Sequence, residues 1–198
     1  MTAPAWTRLG DTPLWSAAER AHRRRFGRVY HDWGRVLRLY HRADRLLCLP
    51  YDRPLDLAIL SHSAVIDLGG DRRSRSAAWL RTHAEAEEPV ETACSLILNG
   101  PYRDMTDTRL PLLELSDLAE PGTAERAVLD MVEQVKLLTR LDGKEVWGEI
   151  SDELNRIRRA LSGALPRISG EPERDLARRI IEQTDRISRL VPLKEIQV

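Results

Sequence analysis

Lysine, phenylalanine and cysteine are scarce in this chain. Only Lys136, Lys144 and Lys194 are lysines among 31 basic residues, and there is one phenylalanine. With abundant Ala and Leu, the arginine bias points to a GC-rich bacterial genome. Net charge is also lacking: 31 basic residues face 31 acidic ones. No overall field therefore steers the chain toward nucleic acid, and it carries no nucleic-acid-binding motif. The two cysteines, Cys48 and Cys94, form neither a CxxC pair nor a zinc-ligand spacing. Both sit in apolar surroundings, so buried free thiols are expected. No apolar run approaches the ~20 residues a membrane-spanning helix needs. The N-terminus has no basic start followed by an apolar core. The expectations are no membrane association and a cytoplasmic location. There is no GxSxG nucleophile elbow and no glycine-rich phosphate loop after a strand.

What is present is helical. Strand-like alternation is weak and β-branched residues are few, so the expected fold class is all-α, one domain over 1–198 with its core at about 14–190. Residues 14–26 and 28–47 read as two helices, with Gly27 as a joint. In the second, Val29, Trp33, Val36 and Tyr40 recur on one face. A helix over 54–68 carries Leu55, Ile59, His62 and Ile66 on one stripe, and Gly69–Gly70–Asp71 ends it. Further helices are expected over 74–86, 89–98 and 112–119, with a proline-bounded loop at 99–111. Thr123 is expected to cap a helix with Ala127, Met131, Val135 and Leu138 inward, stopped by Asp142–Gly143. A helix over 144–164 presents Val146, Ile150, Leu154, Ile157 and Leu161. The last helix, 171–190, turns Leu176, Ile180, Thr184 and Ile187 inward, and its other face would suit a homodimer. The run His22–Arg23–Arg24–Arg25 reads as a surface helix end, with a polyanion patch as the alternative. The tryptophans Trp15, Trp33, Trp79 and Trp147 are expected in the core, and His41 and His83 at the surface.

Four segments follow in order: Tyr30–His31–Asp32–Trp33, then Leu60–Ser61–His62–Ser63–Ala64–Val65–Ile66–Asp67, then Gly70–Asp71–Arg72–Arg73–Ser74–Arg75–Ser76–Ala77, then Leu113–Glu114–Leu115–Ser116–Asp117–Leu118–Ala119. The ordered set resembles the HD superfamily of metal-dependent phosphohydrolases. It is similar to the branch that reads roughly YHN-x-x-H, FHD-x-x-YD, NE-x-x-SA and D-x-DLA-x-x-G. The resemblance spans about 15–190. It implies an all-α bundle of the HD-domain type around a divalent metal (Mn, Fe or Mg), which activates water against a phosphoryl group.

Carried over residue by residue, His31 and His62 match the histidine ligands, and Glu114 or Asp117 matches the distant carboxylate. Ser63 stands where the hallmark aspartate belongs. Arg35 replaces a histidine, Arg72 and Arg73 replace an Asn-Glu pair, and Tyr102 falls where members carry another histidine. A serine hydroxyl is a weak ligand, and arginines repel a cation but attract an anion. Asp67 follows Ser63 by four residues and would share its helix face, roughly 5–6 Å away at Cβ, as a replacement ligand.

Three readings follow, one of them a helical interaction or oligomerisation protein with no ligand. The first is a metal-free pseudoenzyme that needs no cofactor. It binds a small phosphorylated ligand through Arg35, Arg72 and Arg73, or else binds a protein partner. The alternative is a phosphohydrolase with a rearranged ligand set of His31, His62, Asp67, Glu114 and Asp117, acting on a small phosphate ester or nucleotide. The plainer explanation of His62 is a hydrogen-bonded core histidine. For Arg72 and Arg73 it is a solvated helix start, and for Glu114 and Asp117 a favourable charge on a helix dipole.

Overall fold

The computed structural model describes residues 3–23, 27–66, 71–99 and 106–194, with side chains described as far as residue 189. Among these residues the protein is all-α, with nine α-helices and no strand. The chain groups into two compact units, Met1–Gly100 and Pro101–Val198.

The first unit holds α1 (Pro13–His22), α2 (Trp33–Arg45), α3 (Arg53–Ser61), α4 (Arg72–His83) and α5 (Val90–Leu98). Its hub is α3, which packs against α1, α2, α4 and α5. Every residue from Leu55 to Ala64 is buried, so this helix is covered on all sides. Such a helix belongs in a core rather than on a surface. Any polar group it carries must find a partner inside. Asp56 does: its carboxylate accepts the Thr7 hydroxyl (2.7 Å) and the Arg8 amide (3.0 Å). Trp6 adds a bond from its indole to the Leu49 carbonyl at 2.9 Å. These bonds fasten the N-terminal segment to the unit.

The starts of these helices are encoded locally. Asp32, Asp52 and Asp71 each cap a helix by accepting amides of its first turn. After α2 the chain reverses through Cys48, at φ 47°, with the Leu49 amide donating to the Ala43 carbonyl at 2.8 Å. This is a left-handed cap position that glycine usually fills. It turns Cys48 outward, so the expected burial holds for Cys94 and fails for Cys48. Gly27, the expected joint, also has a positive φ of 82°.

The second unit holds α6 (Arg109–Leu115), α7 (Pro121–Leu138), α8 (Gly143–Ala164) and α9 (Glu171–Lys194). Here α9 packs against α6, α7 and α8. The expected stripes of α8 and α9 are the buried ones: Val146, Ile150, Leu154, Ile157 and Leu161, and Leu176, Ile180, Thr184 and Ile187. Two boundaries differ from expectation. Pro121 starts α7, because proline suits a first turn, and Thr123, the expected cap, lies inside the helix. Asp142 opens α8 through a reciprocal capping box with Glu145 rather than closing α7. The inner face of α7 is Ala124, Ala127, Val128 and Val132, with Met131 and Val135 only half-buried. No helix of the described residues is long and apolar enough to cross a membrane.

Candidate functional site

Of the residues singled out in the first unit, His31, Arg35, His62 and Ser63 lie near the C-terminal end of α3. The helix expected over 54–68 stops at Ser61, and His62 is its cap. Side chains bring about this early end. The Ser61 hydroxyl bonds back to the Leu57 carbonyl. His62 Nδ1 lies 2.9 Å from the Ile59 carbonyl oxygen, which can only accept, so Nδ1 carries the hydrogen. The Ala64 amide closes a turn onto the Ser61 carbonyl at 3.0 Å.

Arg28 completes this cap from outside the helix. Its guanidinium donates to the carbonyls of Ser63 (2.9 Å), Ala64 (2.5 Å) and His31 (3.0 Å). One buried arginine thereby ties the segment before α2 to the end of α3: its Nη1 holds the carbonyls of both His31 and Ser63, and its Nη2 that of Ala64. Orphaned helix-end carbonyls need such partners, and a charged donor supplies strong ones.

His22 is the main residue missed in the sequence. It was expected at a surface helix end, yet it is fully buried. It extends the inward stripe of α1, Trp15–Ala18–His22, and that spacing was the signal available. Its Nδ1 lies 2.8 Å from the Ala18 carbonyl, and its Nε2 lies 3.2 Å from Ser63 Oγ. The carbonyl can only accept, so Nδ1 carries the hydrogen and Nε2 accepts from the serine hydroxyl. Burial pushes its pKa down to about 3, with Arg28, His62 and Arg35 adding to the shift and the Ala18 bond opposing it. The imidazole is therefore neutral.

Arg35 is buried on α2. It stacks over the Tyr30 ring at 4.0 Å from the centroid and donates to the Tyr30 hydroxyl at 3.0 Å. His31 precedes the Asp32 cap, so it lies outside α2 and not on a helical face with Arg35 and Arg38. It is half-buried, with its ring edge-on to Tyr30.

The remaining candidates lie apart in the chain. Arg72 is exposed at the start of α4. Arg73 donates to the Ile97 carbonyl at 2.7 Å, fastening the start of α4 to the end of α5. At this helix start the amides of Arg73 and Ser74 already bond the Asp71 carboxylate, the place an external anion would take. Asp67 and Tyr102 lie outside the described residues. The helical spacing that paired Asp67 with Ser63 does not apply, because residues 62–66 are not helical. Glu114 and Asp117 are buried in the second unit, at the end of α6 and in the short 3-10 turn after it.

The donors described around α3 fit a divalent cation poorly. The hydroxyl of Ser63 is neutral and already engaged by His22. The guanidinium of Arg28 is bonded to the same residue. Among the described residues no three His, Cys, Asp or Glu side chains are grouped so as to hold a metal ion. Comparison with family models, curated proteins and solved structures gave no match.

Proposed function

We propose that this protein is a divergent relative of the HD superfamily that has exchanged metal-dependent hydrolysis for metal-free binding of a small anionic, phosphorylated ligand. The observation that carries the reading is the pair of buried guanidinium groups near this end of α3, Arg28 at 7% and Arg35 at 3% exposure. Both guanidiniums bear on the neutral imidazole of His22 as positive charges. In a water-poor interior that field favours an oxyanion and opposes a cation. The serine in place of the hallmark aspartate removes the negative charge that a metal would need.

The test is thermal unfolding in inorganic phosphate against chloride at equal ionic strength. A ligand held only by the folded state at 100 times its Kd adds about 2.7 kcal/mol. A saturable rise in Tm of a few degrees is expected, reduced in Arg35→Met. Equal midpoints in the two salts would contradict the reading. Phosphate-ester hydrolysis that depends on added metal would replace it with the phosphohydrolase alternative.

A further inference from the structure

The bond between Ser63 and His22 has a chemical consequence beyond binding. A nucleophile and a base lie within hydrogen-bond reach, and a third group, the Ala18 carbonyl, orients the base through its other nitrogen. This is the arrangement that activates serine hydroxyls in covalent catalysis. The helix end places it well. Ser63 follows the cap of α3, and Arg28 fixes the carbonyls of Ser63 and Ala64. The hydroxyl is therefore held by rigid neighbours on both sides.

We infer that Ser63 is a metal-free nucleophile, served by His22 as base, toward the acyl group of a small, negatively charged ester. The choice of an anionic ester rests on the reading of the site as an anion receptor; the nucleophile itself does not. In the step, Ser63 Oγ bonds the carbonyl carbon and its proton passes to His22 Nε2. The tetrahedral intermediate then expels the alcohol, which takes that proton, and an acyl-serine remains. Water repeats the sequence and releases the carboxylic acid, restoring both side chains. The surrounding positive charges make the imidazole a weaker base, but they also stabilise the serine oxyanion and the charged intermediate. An acyl carbon suits this site better than a phosphate. A phosphoryl dianion repels an incoming oxyanion unless a metal neutralises it. Ser63 is 6% exposed, which restricts the substrate to a small one.

Incubation with a small alkyl fluorophosphonate tests the inference: Oγ bonds phosphorus, fluoride leaves and His22 takes the proton. Intact-protein and peptide mass spectrometry should find one adduct, on Ser63, absent in Ser63→Ala. Labelling should slow by at least ~100-fold in His22→Gln, the scale of a lost general base. Should His22→Gln fold poorly, Ser63→Cys supplies the second arm. Its thiol should react with iodoacetate in the folded protein faster than a free cysteine does. No adduct at position 63 in either folded protein, or labelling indifferent to His22, overturns the inference. Inorganic phosphate separates the two proposals. Labelling of Ser63 that phosphate does not slow would refute the anion receptor and leave the nucleophile standing.

Discussion

The two units bury polar groups in different ways. In the first, His22, Arg28, Arg35, Asp56, His62 and Ser63 are all buried, and their bonds join segments distant in the chain. In the second, the long helices α8 and α9 bury apolar stripes and keep most charge outside, in exposed pairs such as Arg186–Glu125 at 3.1 Å. Such exposed pairs contribute little to stability. A buried charge bonded to backbone carbonyls has no water to fall back on, so its loss is costly. The pairing of α8 with α9 is held by pattern, and the first unit by particular residues.

Three substitutions or conditions would sharpen that contrast, in descending size. Arg28→Met removes three charge-assisted bonds and leaves the end of α3 unsealed. A loss of about 3–5 kcal/mol in urea unfolding is expected, and a loss below about 1 kcal/mol would erase the contrast. Acid comes next, through His22. Its folded pKa of about 3 lies below the ordinary 6.5, so only the unfolded chain takes up this proton between those values. The contribution is complete above pH 6.5 and is lost as pH falls toward 3. Between pH 6.5 and 4 it amounts to about 3 kcal/mol. Denaturation curves should show this slope in the native protein and not in His22→Gln. The smallest effect belongs to the second unit. Asp142→Ala breaks the capping box of α8 and should cost about 1 kcal/mol. A loss as large as that of Arg28→Met would mean the second unit, too, hangs on single polar residues.

The same difference decides what could be read from the sequence. The faces of α8 and α9 were legible because Val146, Ile150, Leu154 and their counterparts recur at helical spacing and nothing distant overrides them. The all-α class followed from the same periodicity. Around α3 the reading ran past the true end, since an apolar run with Ile66 continues the pattern. The bonds beyond the true end come in part from Arg28, 35 residues from Ser63 in sequence. His31 and His62 were singled out through resemblance, whereas His22 was overlooked among the arginines that follow it. Its burial depends on the stripe of α1 and on Ser63, 41 residues away. Asp71 read as part of a turn that ends a helix, but it caps the next one, because an aspartate before a helix accepts amides in either context.

The proposed function makes the end of α3 a metal-free site that favours anions. The most direct test is the metal content of the purified, untagged protein by mass spectrometry, after incubation with manganese, iron or magnesium and removal of excess ion. The account predicts far less than one metal per chain under every condition. About one metal per chain, lost in His62→Ala, would contradict it and return the protein to metal-dependent hydrolysis.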